Sequence, residues 1–304
     1  MRNGETKGWL GRFNLINPVL DKEFRLRMRS PRAMWTLFFY LIAIGLLAFA
    51  AIYLTQELSG RGGVSFNPEQ SKVLFYFLSM AQLGLVAFMA PGLTAGVISG
   101  EREKQTLNLL LTTQQSSATI IISKLLSSLS FMVLIVFSTI PIYSMVFLYG
   151  GISPKQLVLV FLFYLFIMLV LGSFGIFFST VLKRTMLSVI STYGVTLFLF
   201  VGTAILFFIM MNVTSNYYYS QAAGAAPNYS WVGHIMAWNP VAALYSILDP
   251  SISDEVFMAN RYGNQTGKGA PMPLWLEFML IYSVLSAAAL WTAIRKLRPT
   301  SRRR

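Results

Sequence analysis

Six apolar runs, at 34–54, 73–98, 125–149, 157–182, 186–211 and 274–294, constrain this chain more than any other feature. Each is long enough, at roughly 20 residues or more, to carry an α-helix across about 30 Å of hydrocarbon. Lipid offers the backbone no hydrogen-bond partners, so a run of this kind satisfies its own amides by forming a helix. The fold expected is therefore an all-α integral membrane protein with six transmembrane helices. Composition agrees: 55% of residues are hydrophobic and 12% charged, with a mean hydropathy of +0.61.

Charge then sets orientation. The net charge of +13 would suggest nucleic acid in a soluble chain, but here the basic residues stand at the ends of apolar runs, and no nucleic-acid partner is expected. With the N-terminus inside, nineteen of the 24 Lys and Arg residues fall on the cytoplasmic side. Only Arg61, Lys72, Lys155, Arg261 and Lys268 fall outside. The positive-inside rule thus puts both termini in the cytoplasm, including the basic tail 295–304.

Residues 1–33 lack the apolar core and small-residue cleavage site of a removable leader. Asn17-Pro18 reads as a helix start and Ser30-Pro31 as a stop, with Val19, Leu20, Phe24, Leu26 and Met28 set against six charged residues. An amphipathic helix lying in the interface is expected there. Pro91-Gly92, Pro141 and Gly172 are expected to break or loosen three of the spans. The apolar stretch 231–248 is split by Asn239-Pro240, and a full crossing there would send the basic tail outside. It is read as one or two short re-entrant or interfacial helices within an outer loop, 212–273.

Catalytic chemistry is sparse. The chain has no cysteine and a single histidine, His234, which excludes thiolate nucleophiles and a His-based metal cluster within one subunit. No H-E-x-x-H or G-x-S-x-G context occurs. The stretch 263–269 imitates a phosphate loop but has the wrong glycine spacing and a Gly after Lys268. No cofactor is expected in this chain. Glu277, the one acid close to an apolar run, reads as an interfacial anchor beside Trp275, with Trp291 toward the other end of that span.

One loop stands apart, the cytoplasmic connection 99–124. Glu101, Arg102, Glu103 and Lys104 put four charges in a row, each worth about 2.5–3.5 kcal/mol against insertion at mid-bilayer. The acids come first, where a helix N-terminus favours them, and Leu107, Leu110 and Leu111 follow on one helical face.

Gly100-Glu101-Arg102-Glu103 followed by Thr106-Leu107-x-Leu109-Leu110-Leu111 resembles the permease subunits of ABC-2 type transporters. So do Asn17-Pro18-Val19-Leu20-x-Lys22-Glu23-Phe24-Arg25 and Lys124-Leu125. A glycine and a proline often found around this loop are here Gln105 and Gln114. The resemblance implies a coupling helix seated in a cleft of a separate ATPase subunit. Gly100, Glu101, Arg102, Glu103 and Thr106 would form its contact region, and Leu107, Leu110 and Leu111 would pack against the ATPase or against the bundle itself. Lys183 and Arg184 would form a second, smaller contact, and Pro18, Lys22, Glu23, Phe24 and Arg25 would belong to an elbow helix.

It further implies that ATP and magnesium bind in two copies of that ATPase, and that this chain pairs with an identical or homologous permease in the lipid. The function expected is ATP-driven export, with Asn239 and Pro240 at an outer gate, in a bacterial plasma membrane. The alternative is relay of ATPase motion to an extracytoplasmic partner through the outer loop, without a transported cargo.

Overall fold

The computed structural model describes residues 31–58, 68–107, 116–148, 150–221, 231–257 and 271–297. Its elements are α1 (Pro31–Leu58), α2 (Pro68–Thr94), α3 (Ser99–Glu103), α4 (Ser117–Phe137), α5 (Ile140–Leu148) and α6 (Pro154–Val181). They continue with α7 (Thr185–Leu197), a π-turn (Phe198–Gly202), α8 (Thr203–Gln221), α9 (Gly233–Met236), α10 (Pro240–Leu248), α11 (Ser251–Val256) and α12 (Leu274–Leu297). Among the described residues there is no strand. Six helical stretches among the described residues are long and apolar enough to cross a membrane, so the protein is a multi-pass membrane protein.

The centre of the bundle is α6. Its start is fixed by a capping box in which Ser153 and Gln156 satisfy each other's backbone N–H, with Pro154 in the first turn. It packs against α2, α4, α7, α10 and α12. Phe163, Tyr164, Ile167 and Leu171 interlock there with Phe75, Leu78, Phe278 and Tyr282, all buried. By contrast α1, α7 and α8 are peripheral and expose Trp35, Phe49, Leu197 and Phe208. An apolar face of that extent has no place in water and fits lipid.

Pro141 interrupts the third span, but the break lies just before it. Proline has no N–H and clashes with the carbonyl four residues back, so α4 ends at Phe137. The buried Gln82 and Thr139 amide and hydroxyl lie 3.2 Å apart beside the break, and Thr139 Oγ1 also donates to the Val136 carbonyl at 2.6 Å. A freed backbone group is thereby satisfied inside the apolar bundle. Gly172 does not loosen α6, which is continuous. A side chain there would press on Leu125 and Leu129, so this glycine lets α4 approach α6.

The stretch 231–248 forms two short helices, α9 and α10, parted at Asn239, and neither is long enough to cross a bilayer. They pack against the start of α12 and the first part of α2, opposite the 99–107 end of the bundle. Here His234 Nδ1 lies 2.8 Å from Glu277 Oε1, so the lone histidine and the acid near the span pair with each other.

Candidate coupling platform

The charged loop does not hang free. After α2 the chain makes a turn through 95–98 whose amides need acceptors. Ser179 of α6 provides one: its Oγ accepts from the backbone N–H of both Ile98 and Ser99 at 2.9 Å. Ser188 of α7 donates to the Ala95 carbonyl at 2.6 Å. The loop is thus stitched to the α6–α7 connection before any charge is involved.

The charges then complete the clamp. Arg102 sends its guanidinium to the last carbonyls of α6, at 3.1 Å from Thr180 O and 3.3 Å from Leu182 O. A cation at a helix C-terminus, on orphan carbonyls, is favoured twice over. Glu103 accepts from the first amide of α7, Thr185 N–H, at 2.7 Å and from the Thr185 hydroxyl at 2.9 Å. This is an N-cap supplied from another segment. The Thr185 amide first, then its hydroxyl and the charge of Arg184, hold the exposed Glu103 carboxyl below its ordinary range. The contact is therefore complete above that range and lost as pH falls through the lowered value.

Glu101 turns inward. Its Oε1 lies 2.5 Å from Lys124 Nζ, two turns into α4, and the lysine side chain is 4% exposed. Leu107 is buried with Ile98, Ile120, Ile121, Leu125, Ile176 and Leu297. That cluster ties the ends of α2, α4, α6 and α12 together beneath the loop.

What remains outward is mostly basic. Lys104, Gln105, Thr106, Lys183 and Arg184 are exposed and stand around the clamp, with Glu103 among them. Gly100 packs near Thr185. The structure thus brings the 100–107 segment and the 183–184 turn, eighty residues apart in sequence, into one platform. Leu110, Leu111 and the elbow residues Pro18, Lys22, Glu23, Phe24 and Arg25 lie outside the described residues. Asn239 and Pro240 sit at the opposite end, at the start of α10.

Sequence reading missed Ser179, Thr180, Ser188 and Lys124 as partners of the loop. Hydroxyl residues are scattered through all these spans, so spacing alone did not mark these three.

Gln105 carries a positive φ of 60° just after the α3 turn, in the left-handed region that favours glycine. Gln105→Gly is expected to stabilise the folded protein by up to about 1 kcal/mol, read as a rise in the thermal midpoint in detergent. A fall would show that the glutamine side chain contributes more than its backbone strain costs.

No curated protein matches the chain. The family model described as ABC-2 family transporter protein matches residues 17–288, nearly the whole length. A bundle of six apolar spans, with its charged loop clamped to the α6–α7 turn, belongs by that match to the ABC-2 transporter family, as a membrane-spanning permease subunit of an ATP-binding cassette transporter.

Proposed function

We propose that this chain is the membrane half of an ATP-driven exporter in a bacterial plasma membrane, with both termini cytoplasmic. It would pair with an identical or related permease and be driven by two separate ATPase subunits, in which ATP and magnesium bind. The observation that supports this most is the platform itself. Arg102 and Glu103 join the end of α2 to the α6–α7 turn, so a push on one surface reaches three spans at once. Rigid elements with shared packing transmit displacement in this way. The ATPase would meet Lys104, Gln105, Lys183 and Arg184 directly. Glu101 and Arg102 would instead keep the surface in shape, and Leu107 would anchor it to the bundle. The basic exposure calls for an acidic rim on the ATPase cleft.

In this reading cargo enters from the cytoplasm or inner leaflet and leaves past Asn239 and Pro240. Spans nearly free of ionisable side chains suit an amphipathic or lipid-like cargo.

The chain has no native cysteine, so single cysteines can be placed cleanly. Lys104→Cys and Lys183→Cys, treated with a short bifunctional thiol–amine reagent in the purified complex, are expected to capture the same ATPase polypeptide. A cysteine at exposed Trp231, at the other end, is expected to capture none. Capture from position 231, or from neither platform position, would contradict the reading.

A further inference from the structure

The fifth span is not one regular helix. Across Phe198–Gly202 the ladder widens, and the Thr203 N–H donates to the Phe198 carbonyl five residues back. Such π-turns leave carbonyls poorly directed and are retained mostly where neighbours compensate. Here the neighbours are specific. Thr203 Oγ1 donates to the Leu199 carbonyl at 2.6 Å. Asn239 Nδ2 donates to the Phe200 carbonyl at 2.9 Å and to Thr203 Oγ1 at 3.0 Å.

Asn239 is 1% exposed and uses its other amide atom elsewhere. Its Oδ1 caps α10, accepting from Val241 N–H at 2.8 Å and Ala242 N–H at 3.3 Å. One side chain therefore holds the widened turn of the fifth span and the start of the α10 helix together. Gly202 fits the same geometry: the Phe198 ring folds over it, and a Cβ there would lie 2.6 Å from Phe198 Cδ2. A regular α-helix would remove the extra residue of the turn, rotating everything after it by about 100° and moving it about 1.5 Å.

We propose that the π-turn Phe198–Gly202 is a two-state joint in the fifth span, and that Asn239 is the latch coupling its state to the α10 helix. The proposal rests on the transport reading, for which it supplies the link between a moving span and the outer gate. In the latched state Phe207 is buried, while Leu206 and Phe208 are exposed. In the regular state the residue facing the bundle becomes Leu206.

The test is an oxygen-accessibility scan of spin labels on single cysteines at 205–209, in the purified chain in phospholipid nanodiscs. The unsubstituted background is expected to protect position 207. Asn239→Asp keeps the oxygen that caps α10 and removes the donor to Phe200, and Thr203→Val removes the hydroxyl at nearly constant shape. Each is expected to move protection to position 206. Should Asn239→Asp fail to fold, Thr203→Val alone decides. A scan still centred on 207 in every folded variant would overturn the joint. The scan needs neither ATPase nor cargo, so the two readings fail separately. An unshifted scan in a chain that captures an ATPase removes only the joint, and a shifted scan in a chain that captures none removes only the transport reading.

Discussion

Lys124→Ala is expected to lower stability by about 3–5 kcal/mol, the range for removing one partner of a buried ion pair. The Lys124 ammonium lies 2.5 Å from Glu101 Oε1, and the lysine side chain is 4% exposed against 25% for the glutamate. Removing the ammonium leaves a carboxylate whose other oxygen, Oε2, is buried with no hydrogen-bond partner. Desolvation then has nothing to offset it. Glu101→Ala is expected to cost a similar amount, because it takes the carboxylate away from the more deeply buried ammonium. The double replacement Glu101→Leu with Lys124→Met is expected to recover most of the loss, since paired apolar side chains need no compensation. The readout is the thermal midpoint in mild detergent. Two single variants that melt with the parent would show that the pair contributes nothing.

Gly175→Leu is expected to abolish a monodisperse folded product, and Gly175→Ala to cost about 1–3 kcal/mol through overpacking. At this point α6 crosses the end of α2, and a Cβ on Gly175 would lie 2.8 Å from Thr94 Cβ and 3.2 Å from Ala95 N. Backbone cannot yield as a side-chain tip can, so the two helices would have to separate. The separation would also pull Ser179 from the Ile98 and Ser99 amides, just where the platform begins. Gly194 is the control: nothing lies within 4 Å of its Cβ direction, so Gly194→Ala is expected to be neutral or slightly stabilising. Equal recovery of Gly175→Leu and Gly194→Ala after a heat challenge would show that α2 and α6 are not held this tightly.

These two sites mark what sequence reading reached and where it stopped. Hydropathy located six spans because the length and apolarity of each run are local properties. The four charges from Glu101 to Lys104 identified the loop, since no arrangement could leave them in lipid. Their partners lie about 80 residues away on the α6–α7 turn for Arg102 and Glu103, and 23 residues away on α4 for Glu101. No periodicity reports such pairings. Hence Glu101 reads as an outward contact in sequence and as an internal anchor in three dimensions.

Glycine and proline were equally ambiguous. Pro141 did mark a break, shifted upstream because its clash falls on the preceding turn. Gly172 was expected to act likewise, yet it serves close packing under Leu125 and Leu129. Without the neighbouring helix, a glycine that bends and a glycine that is packed against look alike. The π-turn had no signal beyond Gly202 in a uniformly apolar stretch, 197–202. Asn239 stood out in the sequence only as half of the Asn239-Pro240 break in the 231–248 stretch. Its cap on α10 and the reach of Nδ2 to a residue 39 positions earlier are visible only in three dimensions.

The most direct test of ATPase coupling is affinity capture in mild detergent, comparing the wild-type chain with the triple reversal Lys104→Glu, Lys183→Glu and Arg184→Glu. All three side chains are exposed, so the reversal is expected to keep the fold, with only a small drop in melting midpoint where Arg184 no longer supports Glu103. Wild type is expected to bring down an ABC ATPase, and the reversal is expected to lose it. Capture of the same ATPase by both would show that the platform is not the docking surface, and its capture by neither would contradict coupling to a separate ATPase.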